Sequence, residues 1–220
     1  MIVYDLEDSI QANVEDLVHL QGALEAEQEA GGLTPELEAR LEEVGAAIDG
    51  GDEIDARLVQ ARRELRKTGA RVVRVEVAQE EAAREVWVDV MYMGKQNKAA
   101  PEVTALFEGG LGAALKPALE AQSAGIFKML ATLESQAIYE GALRDKHAPK
   151  LRASVDAATQ VLERRVRDNA ALAALYAEAL VWKEQANTLR AVVGADLIKL
   201  GADRGVPSPK EFARSFFGRR

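Results

Sequence analysis

At 220 residues, with 48% apolar and 29% charged side chains, the chain is long enough to bury a core as one domain or two small ones, and its composition excludes wholesale disorder. It has no cysteine, which excludes a disulfide framework and a thiolate metal site. The formal charge of -8 is sorted along the chain: residues 1–56 hold 16 acids against the single base Arg40, whereas residues 204–220 hold five bases against Glu211. Such segregation favours oriented contact between unlike surfaces, within one molecule or between neighbours.

In chain order, Leu6, Ile10, Leu17, Leu20 and Leu24 recur at spacings of three, four and seven, which predicts a helix to about Ala30. Gly31 and Gly32 end it. Thr34 fits an N-cap and Pro35 the first position of a second helix, with Leu37, Leu41, Val44 and Ile48 on its apolar face. Gly50 and Gly51 are expected to break that helix, so that residues 1–50 form an acidic hairpin. A third helix, capped by Asp52 with Asp55, then carries Ile54, Leu58, Ala61 and Leu65 and stops at a left-handed Gly69. It bears the dense basic run Arg57, Arg62, Arg63, Arg66, Lys67, Arg71 and Arg74.

Residues 71–93 alternate with period two in RVVRVEVA and EVWVDVMYM, which predicts a β-hairpin closing a basic segment over 52–100. The rival is a continuous helix, because the series Ile54, Leu58, Ala61, Leu65 extends through Val72, Val75, Ala82 and Val86, and QEEAARE is a strong helix former where a hairpin needs its loop. From Pro101 a short helix leads to the permissive run Gly109, Gly110, Leu111, Gly112, read as a hinge. A further helix follows Pro117, with Leu119, Ile126, Leu130 and Leu133 on one face, and ends near Pro149. A last long segment runs from about Lys150 to Gly201, so that 101–203 reads as a long helical hairpin. In the basic segment 204–220, Ser208 to Glu211 matches a capping box ahead of a short helix bearing Phe212, Phe216 and Phe217, with Arg219 and Arg220 beside them.

Few residues stand in the patterns that catalysis or metal binding needs. His19 and His147 are the only histidines; Asp16 precedes His19 at helical half-site spacing, but Arg144 stands where His147 would need a carboxylate. No nucleophile elbow, phosphate loop, dinucleotide fingerprint or zinc spacing occurs, and paired glutamates such as Glu42 and Glu43 read as a solvated face. The expectation is therefore no enzyme, no cofactor and no metal.

The predicted fold is mainly α, an elongated antiparallel bundle of coiled-coil character with a small β-hairpin at about 71–93. The predicted function is structural: a bacterial or phage assembly component, by its Ala-, Arg-, Val-, Glu- and Leu-rich composition, that self-associates or bridges protein partners. Its expected contacts are Phe212, Phe216, Phe217, Arg219 and Arg220 of the tail and Arg62, Arg63 and Arg66 of the basic run. One alternative is a nucleic-acid-associated protein using Arg57 to Arg74; the other is a membrane-associated helical protein using the tail and Val103 to Leu133. The acidic start MIVYDLEDSI lacks the bases of a signal peptide, and no apolar run approaches the ~20 residues of a membrane span, so the expected location is the cytoplasm or a virion.

Overall fold

The computed structural model describes residues 9–115 and 118–218. Every regular element among them is helical: α1 (Ile10–Glu29), α2 (Pro35–Met93), α3 (Pro101–Thr104), α4 (Leu111–Leu115), α5 (Leu119–Ser135), a 3-10 turn (Ala137–Tyr139), α6 (Ala142–Asp203) and α7 (Pro209–Arg214). The chain divides into two compact units, one formed by Met1–Arg62 and Ala171–Arg220, the other by Arg63–Ala170. Leu6 and Pro117, assigned above to a helix stripe and a helix start, lie outside the described residues.

The β-hairpin is not formed. Residues 71–93 belong to α2, which also runs through Gly50, Gly51 and Gly69, so the expected breaks and the cap at Asp52 and Asp55 are absent. Tertiary burial overrides local preference here. In the second unit Val72, Gln79, Ala83, Val86 and Val90 recur at helical spacing and are all buried, while Val73 and Val77 point outward. A valine costs a helix only a few tenths of a kcal/mol, and residues 79–85 hold none of the Gly, Asn or Asp that a tight hairpin turn requires.

The first unit packs α1, the start of α2, the end of α6 and α7 around Leu17, Leu20, Leu24, Leu37, Val44, Trp182, Val193, Leu197 and Phe216. Ser9 caps α1 by accepting from the Ala12 N–H at 3.1 Å. At the other end Gly31, at φ +72°, lets the Gly32 N–H reach the Glu27 carbonyl at 2.9 Å. Thr34 Oγ1 accepts from the Leu37 N–H at 3.4 Å, as its N-cap assignment requires. Gly51 has a packing role instead of a breaking one: a Cβ there would lie 2.5 Å from Trp182 Cζ2 and 2.6 Å from Val14 Cγ2. Its bare backbone seats the indole, whose Nε1 donates to the Ala47 carbonyl at 2.9 Å.

In the second unit α2 and α6 run antiparallel. Thr68 Oγ1 donates to Asp168 at 2.6 Å, Gln79 Nε2 to the Ser154 carbonyl at 3.3 Å, and His147 Nε2 lies 2.7 Å from Asp89. α5 covers one side, its first N–H (Leu119) bonded to the Glu76 carboxylate at 3.2 Å. Val103, Phe107, Ile126, Leu130, Leu133, Tyr139 and Leu151 complete the core, with Tyr139 Oη donating to the Glu102 carbonyl at 2.7 Å. Two further boundaries differ from expectation. α6 begins at Ala142, after Gly141 at φ +88°, and takes Pro149 into its third turn, where Ala148 and Leu151 on either side are buried. Ser208 makes no side-chain cap bond, so α7 starts on Pro209 and the Ser208 carbonyl alone, and the capping box does not close.

Gly69 is exposed within α2, and a Cβ added there would meet nothing within 4 Å. Gly69→Ala is therefore expected to stabilise the protein by ~1 kcal/mol, the opposite of what a left-handed cap would give. Gly51→Ala should destabilise by ~1–3 kcal/mol through the clash with Trp182 and Val14. Urea unfolding of the two variants checks both signs.

Candidate interaction surface

Charge follows the division of the chain. The unit of Met1–Arg62 and Ala171–Arg220 holds 11 Lys and Arg against 21 Asp and Glu, a net of -10, and Arg63–Ala170 holds 17 against 15, a net of +2. In the first unit Arg40 binds Glu43 at 2.8 Å and Asp196 at 3.4 Å, and Arg204 binds Glu27 at 2.6 Å. Glu38, Glu42, Asp49, Asp52 and Glu53 remain exposed on α2 without a cation beside them among the described residues. Arg190 is 2% exposed and held inside the unit by its outer nitrogens, donating from Nη1 to Asn13 Oδ1 at 3.0 Å and from Nη2 to the Asn13 carbonyl at 2.6 Å.

Four of the second unit's bases gather where α2 and α6 lie side by side. Arg71 and Arg74 from α2 and Arg164 and Arg167 from α6 line an open groove of about 530 Å³ with Val75, Gln160 and Val161. Arg164 is held by Glu64 at 3.4 Å and Asp168 at 3.9 Å. Arg71, Arg74 and Arg167 have no ion-pair partner among the described residues, although Glu163 also lines the groove and its carbonyl accepts from Arg167 Nε at 3.4 Å. Helical spacing also sorts the outward side of α2 into three rows: Arg66, Val73 and Glu80; Arg63, Ala70, Val77 and Arg84; Lys67, Arg74 and Glu81. Val73 is 57% exposed and Val77 49%, an apolar centre with Arg63, Arg66 and Lys67 on its N-terminal side and Glu80, Glu81 and Arg84 on its C-terminal side.

The described residues among those singled out from sequence fall in both units. Arg63 and Arg66 stand exposed on this face of the second unit. Arg62 belongs to the first, where it stacks 5.6 Å over the Tyr176 ring and donates to its hydroxyl at 3.1 Å. Phe216 is 5% exposed in the core of the first unit, Phe212 and Phe217 pack against that core, and Phe212 meets Phe216 edge-on at 5.3 Å. Arg219 and Arg220 lie outside the described residues. Sequence reading missed Arg164 and Arg167, which join Arg71 and Arg74 only through antiparallel pairing. It also missed outward Val73 and Val77, which the rival heptad series would have exposed.

Other polar clusters read as structural supports. His19 has Gly218 beside its ring, and a Cβ there would lie 3.7 Å from His19 Cδ2. Among the described residues no three His, Asp or Glu side chains gather as metal ligands would. Lys146 Nζ donates to Asp89 at 2.6 Å, and with His147 it holds the Asp89 carboxyl below the ordinary carboxylate range. No helix among the described residues is long and apolar enough to cross a membrane, and Val103, Phe107, Ile126 and Leu130 are core residues. The chain matches no family model, no curated protein and no solved structure.

Two outcomes follow from these contacts. Phe216→Ala should cost ~3–5 kcal/mol, as truncation of a buried phenylalanine does, and lower the urea midpoint of the isolated protein. Because the folded Asp89 pKa is depressed, its bonds stabilise the fold above the unfolded value of ~3.9 and that contribution is lost as pH falls through the folded value. The stability gap between wild type and Asp89→Asn should thus be open at pH 7 and close only below pH ~3.9, as read by thermal melts across that range.

Proposed function

We propose that the chain is a non-enzymatic assembly protein that self-associates or bridges protein partners through its helices and its sorted charge. The observation that carries this reading is the outward face of α2 in the second unit, where Val73 and Val77 lie exposed between bases and acids of the same helix. A helix with one buried face needs no valine on the other. Two exposed β-branched residues flanked by charges of both signs are suited to a protein contact, and those charges give it direction. A cytoplasmic or virion component of bacterial or phage origin remains the proposed setting, on composition and charge.

A second reading rests on the arginine groove. Arg71, Arg74, Arg164 and Arg167 could track phosphates, which makes a nucleic-acid-associated role the alternative. The net -10 of the first unit opposes it, since the same backbone would be repelled there.

Size-exclusion chromatography with light scattering at low and high salt tests the first reading. Oligomers are expected at low salt and should dissociate as salt rises, because exposed charges are screened over ~8 Å at physiological ionic strength. A monomer at every salt and concentration, together with a salt-dependent shift of labelled DNA, would replace assembly with nucleic-acid binding.

A further inference from the structure

The partner that best fits the outward face of α2 is α2 of a second copy. We propose that two chains pair through this face in antiparallel fashion, about a two-fold axis between Val73 and Arg74. The inference rests on the assembly reading above and names its partner and register.

The face is complementary to itself. In a two-fold antiparallel pair each lateral row of one helix faces the same row of the other, reversed in direction. With the axis at residues 73–74, the central row sets Ala70 of each copy against Val77 of the other, and Val73 meets its own copy. On one flank Arg66 faces Glu80 of the second copy; on the other Lys67 faces Glu81. Symmetry doubles both, giving four ion pairs around an apolar centre. The same register places two Arg74 side chains at the axis and Arg63 near Arg84 of the second copy. These are long side chains that relieve repulsion by turning into solvent.

None of these partners can be satisfied this way within one chain. Arg66 and Glu80 stand fourteen residues apart on one helix, ~21 Å along its axis. Arg66 and Glu81 are exposed and have no ion-pair partner among the described residues. Lys67 is held by Glu64 at 2.7 Å and Glu80 by Arg84 at 3.2 Å, both exposed local pairs of the kind that contribute little and exchange readily. The alternative of an acidic surface from the first unit of another copy would account for Arg66 and Lys67. It would leave Val73 and Val77, and the neighbouring Glu80 and Glu81, unmatched. The contact spans about four helical turns, at the small end of stable interfaces, so the dimer should be weak and sensitive to salt.

Reciprocal charge reversal in the full-length chain tests the register. Arg66→Glu with Lys67→Glu, and separately Glu80→Lys with Glu81→Lys, should each weaken self-association at least tenfold in sedimentation velocity while helical content by circular dichroism is unchanged. An equimolar mixture of the two variants regains all four pairs and should form a heterodimer close to wild-type affinity. Because the chain has no cysteine, Val73→Cys should oxidise to a covalent dimer, whereas Val88→Cys, exposed on the same helix but away from the axis, should not. If both variants stay folded and associate as wild type does, the assembly reading stands and this register is wrong. Two monomeric variants that fail to combine on mixing also overturn it, and a wild-type monomer at low salt removes both inferences.

Discussion

The structure depends on the continuity of α2, a 59-residue helix that contains Gly45, Gly50, Gly51 and Gly69 together with six valines from Val72 to Val88. Isolated, such a helix would be poor, since each glycine costs ~1 kcal/mol relative to alanine. Burial of one face offsets that cost. In the first unit Leu37, Val44, Ile54 and Leu58 are buried, and in the second Val72, Gln79, Ala83, Val86 and Val90 are, each set at helical spacing. Each fully buried Leu or Val contributes ~1.5–3 kcal/mol, so a handful on one face exceeds the glycine penalty. Glycine is required where a neighbouring side chain presses on the helix: at Gly51 the Trp182 indole occupies the space of the missing side chain.

Apolar stripes alone would tolerate a slip of one helix along another, and buried polar groups oppose it. In the first unit Asn13 receives both outer nitrogens of Arg190, whose displacement would strand a buried charge. In the second, Gln79 exchanges hydrogen bonds with Ser123 and reaches the Ser154 carbonyl, so that one side chain ties α2 to both α5 and α6. Glu76 adds a charge-assisted bond at the start of α5, satisfying an N–H that the helix itself cannot. Lost partners at such positions cost more than an exposed ion pair, which is why they hold the register.

The same register creates the surface. Once Val72 and Val75 turn inward, Val73 and Val77 must turn outward, and the bases of Arg63 to Arg74 fall on an exposed face beside Arg164 and Arg167. The charges of the tail take a different course: Phe216 enters the core, Phe212 and Phe217 pack on it, and Arg204 turns back to Glu27 and the Gly32 carbonyl. The phenylalanines of the terminal segment thus pack on their own unit.

Several features follow from the sequence alone. The helical class, the end of α1 at Gly31, the Thr34 cap and the inward leucines of α1 are local, set by periodicity and capping within a few residues. The sorting of charge was legible for the same reason. The fate of residues 71–93 was not, because alternating valines fit a strand and a helix equally well until a partner surface selects one period. Gly50, Gly51 and Gly69 carried the same ambiguity, since a glycine marks a break or a close approach according to what faces it. The arginine groove joins side chains about a hundred residues apart, so only antiparallel pairing of α2 with α6 could assemble it. Tertiary burial, worth more than the local preferences it overrode, decided these points.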